Sequence, residues 1–141
     1  MKYLLDTNVI SELISKNAET RVLDWIDSID PENVFLSSIT IGELCNGIER
    51  LPESIKKTRL VDWLHNDLML RFNGRILSVD AQVMLTWGKL AAKLEKSGRI
   101  IPAIDSLILA LAAHGHCILV TRNVEDFKET GIKIINPWAE E

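Results

Sequence analysis

Four short runs of the chain are apolar almost without interruption: Tyr3-Leu4-Leu5, Val34-Phe35-Leu36, Arg75-Ile76-Leu77-Ser78-Val79 and Cys117-Ile118-Leu119-Val120. A strand with one wet face alternates polar and apolar residues, whereas a strand covered on both faces does not, so these runs predict buried strands of a parallel sheet. Lys133-Ile134-Ile135 is a weaker fifth. The intervals carry helical spacing instead. From Asp80, a fitting N-cap, Val83, Trp87, Leu90, Ala91 and Leu94 recur on one helical face, and Gly98 stops the pattern. Leu60, Val61, Leu64 and Leu68 mark a second helix from about Ser54 to Arg71. Ala103 to His114 is apolar on nearly every side, which predicts a buried helix, ended by Gly115 where a left-handed residue is useful. Strands alternating with helices predict an α/β fold: a three-layer sandwich whose mainly parallel sheet of about five strands is covered by helices on both faces.

At 141 residues, with 47% apolar and 26% charged side chains, the chain predicts a single domain, 1–141, able to build its own core. Few Pro and Gly exclude long disorder and fibrous repeats. No apolar run approaches the ~20 residues of a membrane span, and Met1-Lys2 leads straight into Tyr3-Leu4-Leu5-Asp6 with no signal-peptide apolar region. A cytoplasmic location without a membrane partner is therefore expected. Cys45 and Cys117 form no CxxC pair and are expected to act as small apolar residues, not as a disulfide. Against 20 Asp plus Glu stand 16 Lys plus Arg, a formal net charge of -4, which on its face argues against a nucleic-acid partner.

Ligands of open parallel sheets bind beyond the carboxyl ends of the strands, so the residues that follow each run are the ones to inspect. Asp6 ends the first run. The second leads through Ser37-Ser38-Ile39-Thr40 to Glu43, and the fourth into Thr121-Arg122-Asn123-Val124-Glu125-Asp126-Phe127. Asp105 is the only charge between Pro102 and His114. Each acid has a purely structural reading. Asp6 would cap the helix after it, and Glu43 would complete a Thr40-Ile41-Gly42-Glu43 capping box. Asp105 would gain ~0.3–1 kcal/mol from the helix dipole, and Glu125 and Asp126 would charge a solvated turn. Capping explains the acids one at a time but not their common place at one end of the sheet. Clustered carboxylates repel unless a cation sits among them, and an all-oxygen site suits Mg²⁺ or Mn²⁺ better than zinc. Such a site binds phosphate oxygens and activates water, which points to phosphodiester hydrolysis. Asp6, Glu43, Asp105 and Asp126 are the candidate catalytic and metal-binding residues.

Leu4-Leu5-Asp6-Thr7-Asn8-Val9-Ile10-Ser11-Glu12 closely resembles the opening of PIN-domain nucleases of the VapC/FitB type. Ser38-Ile39-Thr40-Ile41-Gly42-Glu43-Leu44 looks like the second motif of that family, Pro102-Ala103-Ile104-Asp105-Ser106-Leu107-Ile108 like the third, and Val120 to Phe127 like the fourth. The blocks come in family order, and the resemblance runs on to Ile135-Asn136-Pro137-Trp138. It implies a PIN-like fold and a Mg²⁺-dependent endoribonuclease, the toxin of a type II toxin–antitoxin pair. It further implies an RNA substrate, a homodimer, and a small VapB-like antitoxin that holds the toxin inactive in a higher assembly. By position, Asp6, Glu43 and Asp105 would bind metal or activate water, with Thr121 supporting by hydrogen bonding. The family often places an Asp where this chain has Asn123. Either Asp126 supplies the fourth carboxylate, or Asn123 serves as a neutral ligand or water-orienting group. The implied reaction is in-line attack of water on the scissile phosphate, leaving 5′-phosphate and 3′-hydroxyl ends.

Other features favour bland readings. His114-Gly115-His116-Cys117 is a helix end and turn without a second ligand pair for zinc, and His65 stands alone. Lys89, Lys93 and Lys96, with Arg99 beyond them, form a solvated stripe, with phosphate tracking as a minor alternative. Trp25, Trp63, Trp87 and Trp138 belong to the core or a subunit interface, and the Ser54–Arg71 helix is the candidate dimer or antitoxin contact. A competing function is a DNA-associated regulator acting through a FitAB-like toxin–antitoxin complex, with hydrolysis secondary. A phosphoacceptor receiver domain would need a second acid beside Asp6, and none is there.

Overall fold

The computed structural model describes residues 1–139. Its strands are β1 (Lys2–Leu5), β2 (Val34–Ser37), β3 (Ile76–Leu77), β4 (Cys117–Val120) and β5 (Ile134–Ile135). Every pairing among them is parallel, in the order β3-β2-β1-β4-β5. The run Arg75 to Val79 contributes only two residues of strand, because β3 lies at the sheet edge and pairs with β2 alone. β5 is the opposite edge and equally short.

The helices are α1 (Thr7–Leu13), α2 (Thr20–Asp27), α3 (Ser38–Glu49), α4 (Ile55–Trp63), α5 (Met69–Arg71), α6 (Ala81–Lys96), α7 (Ala103–His114) and α8 (Val124–Phe127). Successive strand residues point to opposite faces, and the core divides accordingly. Leu5, Val34, Leu36 and Val120 pack with Val9, Val22, Leu44 and Ile48 from α1, α2 and α3. Leu4 and Leu119 pack with Val83, Leu94, Ile108 and Phe127 from α6, α7 and α8. Both faces of the sheet are thus covered, as the lack of alternation requires. The same arrangement accounts for the apolar sequence of α7, whose Ser106 and Ile108 to Ala112 are all buried.

Several local expectations are corrected. The helix expected over Ser54 to Arg71 is capped by Ser54, whose Oγ accepts from the Lys57 amide at 3.1 Å, but it is interrupted by a π-helical turn, Leu64–Leu68, between α4 and α5. That turn buries Leu64 and Leu68, with Phe72 buried just beyond. Gly115 is not left-handed (φ -83°); the positive φ falls one residue later, at His116 (φ 55°). Gly115 is small for a different reason. A Cβ there would stand 3.2 Å from Leu111 O and 3.3 Å from Leu77 Cδ1. Gly98 does end α6 with φ +80°. Cys45 is exposed and only Cys117 is buried, both as free thiols. Arg99 is not a free member of the lysine stripe: it donates to Lys128 O and, at 3.0 Å, to Asp126 O, clamping the end of α8. Among the described residues no helix is long and apolar enough to cross a membrane.

A carboxylate cluster as candidate active site

The chain leaves β1 in two directions. β2 and β3 are laid down on one side of it, β4 and β5 on the other, so the crevice beyond the carboxyl ends of β1 and β4 is the switch point of the sheet. Leu5 is in register with Val120, and the next residue on each strand is Asp6 and Thr121. The Asp6 amide continues the ladder to Val120 O at 2.9 Å. Asp6 is 4% exposed. Its Oδ1 accepts from the Thr7 amide at 2.8 Å and so caps α1, while Oδ2 accepts from Thr121 Oγ1 at 2.8 Å and from Asn8 Nδ2 at 3.3 Å. Burial pushes the Asp6 carboxyl up from its ordinary range, the Thr121 and Thr7 donors oppose that rise, and the charge of Glu43 adds to it.

Glu43 sits midway along α3. The expected capping box is absent, because α3 begins earlier: Ser37 is its cap, with Ser37 Oγ accepting from the Thr40 amide at 3.0 Å. Freed from capping, Glu43 Oε1 accepts from Thr7 Oγ1 at 2.6 Å. Asp105 occupies the first turn of α7, half-buried. Neighbouring Ser106 fixes that turn: Trp87 Nε1 of α6 donates to Ser106 Oγ at 2.9 Å, and Ser106 Oγ donates to Ala103 O at 2.7 Å. Desolvation raises the Asp105 pKa, and the charges of Asp6, Asp126 and Glu43 all raise it further. The four acids therefore share one region at the end of the sheet, with Asp105 feeling the other three.

Asp126 lies in α8 and is exposed. Asn123 is exposed too, and its backbone amide, not its side chain, enters the network by donating to Thr121 Oγ1 at 3.0 Å. Glu125 is a surface charge paired with Lys128 at 2.7 Å. The ion pairs of Lys57, Arg71 and Lys128 all engage other acids, Glu49, Glu53, Asp67 and Glu125. As to a metal, the donor set is hard oxygen throughout, the kind that Mg²⁺ or Mn²⁺ prefers, and, beyond burial, neighbouring negative charges raise the Asp6 and Asp105 carboxyls, an unfavourable term that a cation would relieve. The arrangement is open. Among the described residues no three His, Cys, Asp or Glu side chains are drawn together as a ligand shell.

Residues that the sequence reading passed over complete the site. Thr7 and Asn8 donate to Glu43 and Asp6, and Thr40 and Ser37 stand in line behind Thr7. Their signal was their position: three lie one to three residues beyond a strand, as Asp6 and Thr121 do, and Ser37 closes β2.

A model of the PIN domain family matches residues 3–133. The chain belongs to the PIN domain family. Among its relatives, the VapC ribonuclease Y4jK of Sinorhizobium fredii is 37% identical over 136 residues, covering 96% of either protein. Toxin FitB of Neisseria gonorrhoeae is 36% identical over 135 residues, 96% of this chain and 97% of FitB. The solved structure of FitAB bound to an IR36 DNA fragment contains a chain that superposes with a TM-score of 0.94 at 34% identity, covering 99% of this chain and 97% of that one. The resemblance carried by the four motif blocks is thus upheld for the family, and the five-stranded parallel sheet is that of a PIN domain.

Proposed function

We propose that this PIN domain is a metal-dependent endoribonuclease and the toxin of a toxin–antitoxin pair. One observation carries the reading: Asp6 at the end of β1, Glu43 midway along α3, Asp105 in the first turn of α7 and Asp126 in α8 come from four separate elements, yet, beyond the effect of burial, the Asp105 carboxyl is raised by the charges of the other three. The names of the relatives Y4jK and FitB support it. Asp6, Glu43, Asp105 and Asp126 would hold Mg²⁺ or Mn²⁺, which supplies neutralisation of the acids and electrostatic stabilisation of the scissile phosphate. Asp6 acts as the fixed post of the site, because both of its oxygens are held by donors. Thr121 keeps Asp6 oriented, and α6, through Trp87 and Ser106, keeps the Asp105 turn in place. Arg122, whose guanidinium lies 5.3 Å over the Trp138 ring and whose amide donates to Asn8 Oδ1, presents a cation to RNA phosphates at the rim.

For the antitoxin, a cleft of about 370 Å³ between α1, α2 and α4–α5 offers Leu13, Leu23, Ile26, Trp63 and Phe72 to an apolar segment. Homodimer assembly is part of the same proposal. A second reading, a regulator working through an antitoxin complex on DNA, has one observation behind it: the FitAB structure with a TM-score of 0.94 is a DNA complex.

Purified chain incubated with total RNA in Mg²⁺, and again with EDTA, tests the proposal. Asp6→Asn and Asp105→Asn should each lower cleavage at least ~100-fold, EDTA should stop it, and the products should carry 5′-phosphate and 3′-hydroxyl ends. With the wild-type acids and a non-cleavable RNA analogue, RNA affinity should rise on adding Mg²⁺ beyond what matched ionic strength gives, and the rise should shrink in Asp6→Asn and Asp105→Asn. Undiminished cleavage by both variants would sink the nuclease assignment; growth arrest that survives Asp105→Asn would favour the regulator.

A further inference from the structure

Glu43 is an exposed residue, yet one of its oxygens is held from inside the protein. Thr7 Oγ1 lies 2.6 Å from Glu43 Oε1 and 2.9 Å from Thr40 Oγ1, and Thr40 Oγ1 lies 3.1 Å from Ser37 Oγ. Proton counting fixes the direction of each bond. An ionised carboxylate has no proton to give, so Thr7 donates to Glu43. A hydroxyl has one proton, so Thr7 must accept from Thr40, and Thr40, having spent its own, must accept from Ser37. Ser37 Oγ still has a lone pair for the Thr40 amide at 3.0 Å, the bond that caps α3. Ser37 and Thr40 are wholly buried at 0% exposure, and Thr7 is half-buried.

We propose that Ser37, Thr40 and Thr7 form a one-way hydroxyl relay that fixes the Glu43 carboxylate at the acid cluster, which makes Ser37 and Thr40 positioning residues of a site that neither of them touches. A glutamate on an exposed helical turn is otherwise free to exchange rotamers. Here its Oε1 is tied to a chain whose far end is the cap of its own helix, so the geometry of α3 is passed to the carboxylate and Oε2 is left for a ligand. Successive hydroxyls aligned in one sense polarise one another, so the last bond, to the charge, is the strongest. Capping alone needs only Ser37. The Thr40 hydroxyl, turned to Thr7 and not to a helical carbonyl, is the part that capping leaves unexplained.

The activity readout of the proposal rests on the nuclease reading; its structural readout does not. Thr40→Val keeps the shape and the Ser37 cap but cuts the relay, and Thr40→Ser restores it. Relaxation of the Glu43 Cγ methylene measures the order of that side chain, with exposed Glu95 as reference. The wild type and Thr40→Ser should show an ordered Glu43, Thr40→Val a clearly more mobile one, and Thr7→Val, which removes the bond itself, one as mobile as Glu95. In the same samples Thr40→Val should weaken Mn²⁺ binding and lower kcat about tenfold each, with KM for RNA within about twofold, as for loss of a partner that orients a metal ligand. A Glu43 that is mobile in the wild type, or that stays ordered in Thr40→Val, overturns the relay. A wild type that neither binds Mn²⁺ nor cleaves RNA overturns the nuclease reading instead, while the relaxation result still decides the relay. If Thr40→Val does not fold, Thr7→Val cuts the same chain at a half-buried residue.

Discussion

Thr121 is completely buried at the end of β4, and its hydroxyl serves three partners. It donates to Asp6 Oδ2 at 2.8 Å, and it accepts from Asn8 Nδ2 at 3.2 Å and from the Asn123 amide at 3.0 Å. Thr121→Val preserves the branched shape and removes all three bonds. Losing a donor to a buried carboxylate costs about 1.5–3 kcal/mol. The other two losses are small by comparison, because Asn8 Nδ2 keeps Asp6 Oδ2 at 3.3 Å and exposed Asn123 can turn its amide to water. The expected destabilisation at pH 7 is therefore about 2–3 kcal/mol, read as a lower urea midpoint at unchanged slope in the metal-free protein. Most of that cost belongs to the charge of Asp6. In an Asp6→Asn background the same substitution should cost about 1 kcal/mol, the value of a neutral bond. The pH dependence has a definite sign. The Thr121 bond holds the Asp6 pKa down against burial, so its removal raises that pKa further. The cost of Thr121→Val is then full where Asp6 is ionised and shrinks as pH falls through the raised pKa toward the ordinary value of 3.8. Equal costs in the two backgrounds would refute the reasoning, since Thr121 would then be packing and not holding a charge.

Asp105 predicts a trade between stability and activity. Its folded pKa is raised above 3.8, so the folded state binds the proton more tightly than the unfolded chain does; stability is greatest at low pH and falls as pH rises through the raised value. Asp105→Asn should therefore increase the Tm of the metal-free protein at pH 7, with the gain disappearing in acid, and calorimetry across that range checks it. The turn after α7 separates two properties of glycine. Gly115→Ala forces a Cβ to 3.2 Å from Leu111 O and should destabilise by about 1–3 kcal/mol, whereas His116→Gly relieves a positive φ and should be neutral to stabilising by up to about 1 kcal/mol in urea unfolding.

The sheet was legible in the sequence because its strands are covered on both faces, and coverage leaves an unmistakable apolar run. The edge strands were the least legible. With one pairing partner each, Ile76–Leu77 and Ile134–Ile135 are trimmed by a condition that no local pattern records. α2 went unread for a related reason, since Val22 alone is buried on it, and α1 was legible only through its cap, Asp6, because Val9 and Ile10 are too few to establish a period. At the site, the acids could be found from strand ends, but the hydroxyls could not be told from ordinary caps. Thr40 looked like the cap partner of Glu43. The structure shifts that cap to Ser37 and turns both Thr40 and Glu43 toward Thr7, a rearrangement decided by a contact 33 residues away in sequence.

Capping and chemistry, which compete as explanations of Asp6 in the sequence, are the same device in the structure. A carboxylate buried to 4% exposure would ordinarily take up a proton. Asp6 sits instead at the N-terminus of α1, where the Thr7 amide and the helix dipole favour its negative charge, and Thr121 holds its second oxygen. The cap keeps a buried acid usable. Asp105 has no such support among the described bonds; burial and then the charges of Asp6, Asp126 and Glu43 raise its carboxyl, and a cation would relieve the part due to charge. The same geometry reverses the meaning of the net charge. Asp6, Glu43, Asp105 and Asp126 carry four negative charges between them, the whole of the formal -4. The remaining formal charges sum to zero, so the net charge by itself is no argument against a nucleic-acid partner, and one divalent ion held among the four acids would halve their charge.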